Sequence, residues 1–165
     1  MVLKDRQVIR GEVATPGELM VLMRTGDDVT ALPAHKLASV QYYDRAANVN
    51  RKFVPVVSVE RGYPLTTLYE VVVTGEVEVL RRPQWRAPTS YKFPPDGYIY
   101  FVRYRDETVS ICRFRGKVYP ALLQSHKPEL TRFIKRQKLN PNVTADVIPI
   151  IQFHNQLPAV SLARH

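Results

Sequence analysis

Among the side chains able to do chemistry, the arginines are the most suggestive. Arg103 and Arg105 lie two residues apart, as do Arg113 and Arg115, and Tyr91, Tyr98, Tyr100, Phe101, Tyr104 and Phe114 are interleaved with them. A guanidinium grips phosphate or sulfate through two parallel hydrogen bonds, and aromatic faces stack on bases or sugars, so this mixture suits a polyanion. The bases that could serve are Arg81, Arg82, Arg86, Arg103, Arg105, Arg113, Arg115, Lys117, Arg132, Lys135 and Arg136. The competing explanation is a solvated arginine face with tyrosines half-sunk in a sheet. If Asp106-Glu107 forms a two-residue turn, Arg103 falls opposite Ser110 and Tyr100 opposite Arg113. The two arginine pairs then point to opposite sides of the sheet and the patch is split.

The other reactive residues form no pattern of comparable reach. None of His35, His126, His154 and His165 stands in an H-E-x-x-H arrangement. His154 falls on an apolar helix face, where a satisfied structural histidine is expected, and His126 precedes Lys127-Pro128 in an expected loop. Cys112 alternates with Ile111 and Arg113 in an expected strand, and a free cysteine there reads as buried and inert. Asp27-Asp28 and Asp106-Glu107 are turn residues, and Glu76 and Glu78 share the solvated face of a strand. A P-loop, a dinucleotide-type glycine motif and a G-x-S-x-G elbow are all missing from the sequence. No catalytic, cofactor-binding or metal-ligating residue is therefore assigned, and a non-catalytic role is expected.

Charge sharpens the picture. The formal net charge is +9, and residues 81–138 hold 14 bases against 4 acids, so the whole excess lies there. At 165 residues one domain is expected. The apolar fraction of 45% is that of a globular chain, and no apolar run approaches the roughly 18 residues of a spanning helix. A single cysteine rules out an internal disulfide and any multi-cysteine zinc site.

These residues must be positioned by short elements, because thirteen prolines interrupt the chain. Gln7 to Val13, Leu19 to Met23, Val29 to Leu32, Ser39 to Tyr43 and Arg51 to Val59 read as strands. Thr25-Gly26-Asp27-Asp28 is a turn, and Pro33 to Lys36 one helical turn. Pro55 requires an edge or a bulge. Thr67–Val73 and Glu76–Leu80 form a hairpin about Thr74-Gly75, and a second hairpin pairs Tyr98–Arg105 with Thr108–Arg115. The stretch Arg82 to Gly97, which contains Trp85, reads as an irregular loop. A short helix is expected over Pro120–Gln124, another after Pro128 to Gln137, and a last one capped by Thr144. The expected fold is α+β and mainly β: an antiparallel sheet or partial barrel from residues 6–118, closed by two or three helices from 119–157, with a frayed tail from 158. Its core should include Val8, Leu22, Val40, Phe53, Leu68, Val71, Val73, Val77, Val79, Phe101, Ile111, Phe133, Ile134 and Ile151.

Four stretches carry a likeness: Gln41-Tyr42-Tyr43-Asp44, Arg51-Lys52-Phe53-Val54, Leu68 through Glu76, and Phe133 through Asn140. In them the chain resembles a group of uncharacterised bacterial proteins, mainly of Bacteroidota type, with a β-rich N-terminal half and a helical C-terminal segment. The resemblance implies that fold and, since many members carry export signals, a place in the cell envelope; it implies no activity. The amino terminus itself has no apolar h-region. As it stands the chain is expected in the cytoplasm, or in the periplasm or envelope if a signal peptide precedes Met1. A non-catalytic interaction or structural module with a protein or envelope partner is thus the first expectation. A binder of nucleic acid or another anionic polymer through residues 81–138 is the second.

Overall fold

The structure, a computed structural model, describes residues 1–60, 62–84 and 96–158. Trp85, Arg86 and Tyr91, the prolines up to Pro95 and the tail from residue 159 lie outside the described residues. The fold is α+β and mainly β, its strands pairing antiparallel and its helices following the last strand. By contact the chain falls into two compact units, Met1–Val71 and Val72–His165.

The first unit holds β1 (Val2–Leu3), β2 (Glu12–Pro16), β3 (Met20–Thr25), β4 (Asp28–Pro33), β5 (Leu37–Asp44), β6 (Val49–Glu60) and most of β7 (Tyr63–Val73). β2, β3 and β4 form a three-stranded sheet, and β1, β5, β6 and β7 hydrogen-bond in that order. Gly26, at φ 64°, takes the left-handed conformation between β3 and β4 that glycine adopts without steric cost. A single 3-10 turn over Ala34–Lys36 joins β4 to β5. Val21, Ala34, Leu37, Val40 and Leu68 are buried together, with Phe53 and Tyr42 stacked beside them at 5.9 Å. β5 pairs with β6 only as far as Phe53, so Pro55 stands where β6 has an edge, opposite Leu68 of β7. There its missing N–H need not break a ladder.

Three core assignments change in this unit: Val8, Leu22 and Val71, the last being only half-buried in β7. Val8 is 60% exposed: it makes only an isolated bridge to Val2, across a turn in which Arg6 has φ 71°. In β3 the buried face is Val21 and Met23, leaving Leu22 half-buried. Met20 to Met23 are all apolar, so alternation alone cannot choose which parity turns inward.

The second unit contains β8 (Val77–Pro83), β9 (Tyr98–Tyr104), β10 (Glu107–Ser110), α1 (Phe114–Lys117), α2 (Tyr119–Gln137) and α3 (Thr144–Gln156). β8, β9 and β10 pair in that order, with Val102 of β9 facing Val79 on one side and Val109 on the other. The buried face of β9 is Tyr100 and Val102, so Phe101, expected in the core, is only half-buried. Helix residues Phe114, Val118, Leu122, Leu130, Val147, Ile150 and Ile151 complete this core. Phe133 of α2 stacks on Phe153 of α3 with centroids 4.1 Å apart.

The second hairpin is shorter than its sequence suggests. β10 ends at Ser110, the turn lies at Arg105-Asp106, and Arg103 faces Thr108 rather than Ser110. Ile111–Arg113 is a 3-10 turn that leads into α1, so Arg113 and Arg115 are not on a strand and Tyr100 does not face Arg113. The reason is packing. Ile111, Phe114, Val118 and Leu122 recur at helical spacing and all four are buried, which no strand could achieve. Cys112, expected buried, is exposed for the same reason. The two helices expected around Pro128 run on as α2 with a kink at His126 (φ −139°, ψ 43°). That residue is buried in the kink, not in a surface loop. Thr144 is the first residue of α3 rather than its cap, a place held by Val143 without a side-chain bond.

Candidate functional site

The sheet arginines are committed to the sheet. Arg103 stands directly opposite Glu78, and its Nε lies 2.6 Å from Oε2 while Nη2 reaches the same oxygen. Glu78 is therefore no solvated carboxylate beside Glu76; it neutralises Arg103. The Arg81 guanidinium lies 4.1 Å from the centre of the Tyr98 ring. Tyr100, opposite Arg81, donates its phenol to Asp96 Oδ2 at 2.5 Å. Burial and that bond raise the phenol's pKa, against a smaller lowering by Arg81. Arg82 lies 5.9 Å from the Phe101 ring, and Arg105, left-handed at φ 54° in the turn, 5.1 Å from Tyr104. These cation–π contacts hold Arg81 and Arg82 of β8 against rings of the neighbouring β9, and Arg105 against the ring that precedes it.

The helical bases are placed differently. Because Ile111, Phe114 and Val118 turn inward, Cys112, Arg113, Arg115, Gly116 and Lys117 all turn outward, and with Asn142 they line a shallow depression. Arg115 Nη1 donates to Asn142 Oδ1 at 3.2 Å. Burial raises the pKa of the neighbouring Tyr119 phenol, while the positive charge of Arg115 opposes the rise. Arg132, Lys135 and Arg136 are exposed on α2, and Lys138 caps that helix in the left-handed conformation at φ 54°.

The loop after Lys138 ties these bases to α1. Asn140 accepts the Asn142 N–H at 3.0 Å and its Nδ2 at 2.9 Å, while Asp146 Oδ2 accepts the Asn140 N–H at 2.9 Å. Asn142, so held, meets Arg115. Among the described residues no carboxylate lies within ion-pair distance of Arg113, Arg115, Lys117, Arg132, Lys135 or Arg136.

The structure therefore gathers Arg113, Arg115 and Lys117 and links them, through Asn142, to the basic end of α2. It assigns Arg81, Arg82, Arg103 and Arg105 to the sheet, and Arg86 lies outside the described residues. Lys138 and Asn142 were not singled out from sequence; the Asn140-Pro141-Asn142 spacing after a helix was the available cue. Part of the charge answers the helix itself, since Lys135 and Arg136 sit in the last turn of α2, where the dipole favours cations. A four-residue helix has little dipole to answer, so Arg113, Arg115 and Lys117 have no such explanation. Chemically the surface offers two exposed guanidinium groups and an ammonium, one guanidinium steadied by Asn142, to an oxyanion. Among the described residues no three histidine, cysteine, aspartate or glutamate side chains gather as metal ligands. Comparison with known proteins finds no matching family model, no matching curated protein and no matching solved structure.

Proposed function

We propose that this chain is a non-catalytic interaction module whose working surface is the cationic depression of α1 together with the basic end of α2. Its partner is a nucleic acid or another anionic polymer. The observation that carries this reading is the Arg115–Asn142 bond, which ties α1 to the loop that follows the basic end of α2, both bearing bases with no acid in ion-pair reach among the described residues. Every unpaired cation raises self-repulsion, and a partner rich in phosphate or sulfate relieves it. The bacterial, often exported group that the sequence resembles makes an anionic envelope polymer a natural partner alongside nucleic acid.

The test is retention on heparin and a DNA mobility shift across a salt series, for the parent chain and for the triple variant Arg113→Ala/Arg115→Ala/Lys117→Ala. On duplex DNA the slope of log affinity against log salt should fall by about 0.9 for each phosphate contact removed. The triple variant should thus lose two or more units of slope. Equal slopes, or no retention of the parent chain at low salt, would defeat the reading.

A further inference from the structure

Two buried imidazoles meet where α2 bends against α3. His126 and His154 are 8% and 2% exposed, and their rings meet edge to face with centroids 5.4 Å apart. His126 Nε2 lies 3.0 Å from the carbonyl oxygen of Pro158, just past the end of α3. A carbonyl can only accept, so Nε2 carries the proton and Nδ1 of His126 is left a bare acceptor. That Nδ1 and the Nδ1 of His154 are both buried without a hydrogen-bond partner. The arrangement suits neutral rings, and a charge on either would be buried beside the other.

We propose that His126 and His154 form an acid-operated clasp: a proton taken up by His154, buried edge to face against His126, frees the last turn of α3 from the kink in α2. His126 leaves helical geometry two residues before Pro128, and its ring is buried at that kink. The neighbouring charges are few. Burial lowers the pKa of His154, His126 lowers it further, and Glu76 from the turn before β8 and the Asn155 side chain oppose the fall. On β8, Glu78 is paired with Arg103, and Arg81 and Arg82 lie against Tyr98 and Phe101; Lys127, Glu129, Arg132, Lys135 and Arg136 of α2, like Cys112 and Arg113, are exposed. A base whose folded pKa is depressed contributes stability above its unfolded value near 6.5 and loses it as pH falls below that.

The test is amide exchange on the full chain between pH 7.5 and 5.0, corrected for the intrinsic rate. One proton taken up by His154 on opening adds up to about tenfold per pH unit. The amides of residues 154–157 should therefore open tenfold or more at the acid end, while that of Val102 in β9 stays protected. His154→Gln should flatten the dependence whatever its overall stability. Should that variant not fold, the ring-proton titration of the parent chain decides: His154 titrating below the usual range, in step with the loss of protection, supports the clasp. Protection of residues 154–157 that ignores pH, parallel loss at Val102, or an ordinary His154 titration with α3 still protected would overturn it.

Discussion

Arg103 and Arg115 carry the same guanidinium and differ in what faces it: a carboxylate across the strand pair for one, a neutral amide for the other. Arg103→Gln should accordingly leave heparin retention within error of the parent while shifting the urea midpoint slightly, since half-exposed pairs contribute only about 0–1 kcal/mol. Gly75 is a second residue fixed by one neighbour. It has φ 148°, and a Cβ there would collide with the Asn155 side chain. Asn155 itself accepts the Val77 N–H at 3.1 Å and donates to the carbonyls of Val77 and Thr74 at 2.7 and 3.1 Å. Gly75→Ala should cost about 1–3 kcal/mol by urea unfolding, because the strained backbone and the displaced amide add. In the first unit Arg51 bonds Asp44 at 2.7 Å and Glu70 at 2.6 Å, and the Arg51 bond holds the Asp44 carboxyl below its ordinary value. A carboxylate with a depressed folded pKa contributes stability above about pH 4, lost as pH falls through the folded value. The advantage of the parent over Asp44→Asn in urea unfolding should therefore be constant above about pH 4 and shrink as pH falls below it; an advantage that ignores pH would contradict this.

The segment from Ile111 to Val118 decides where the cations point. Phe114 is fully buried in α1 while Cys112, Arg113 and Arg115 face out. Phe114→Ala should cost about 3–5 kcal/mol and Arg113→Ala less than about 0.5. Cys112 should react with a thiol reagent in the native chain as fast as in the unfolded one; protection of the thiol would restore the strand assignment. The first hairpin and the helix over 129–137 were legible because their patterns are long and unambiguous: Val77 and Val79 alternate with Glu76 and Glu78, and Pro128 precedes a clean apolar stripe. The turn into α1 was not. Thr108 to Ser110 begins as a strand, and a period-two reading continues through Cys112 and Phe114 unless the spacing of Ile111, Phe114, Val118 and Leu122 is weighed against it. The same period-two reading puts Arg113 and Arg115 on a strand and hides the bond of Arg115 to Asn142. Burial of His126 was equally hidden, because a histidine next to Lys-Pro carries a loop signature and only tertiary packing shows the kink turning it inward.

Across the whole chain charge follows the two units. Residues 1–71 sum to +1 and residues 72–165 to +8; among the described residues the near-neutral unit holds strands and one 3-10 turn, and the cationic one the α-helices. Within the second unit the sheet spends its arginines on Glu78 and on tyrosine and phenylalanine rings, and the helical segments keep theirs for solvent. That division, rather than the total charge, is the basis for assigning the working surface. Titration of the isotopically labelled chain with a short anionic oligomer, followed by backbone amide shifts at low salt, tests it most directly. Perturbations concentrated at residues 112–117 and 135–142 are the predicted result. Perturbations centred on residues 79–83 and 99–105, on the first unit, or nowhere would contradict it.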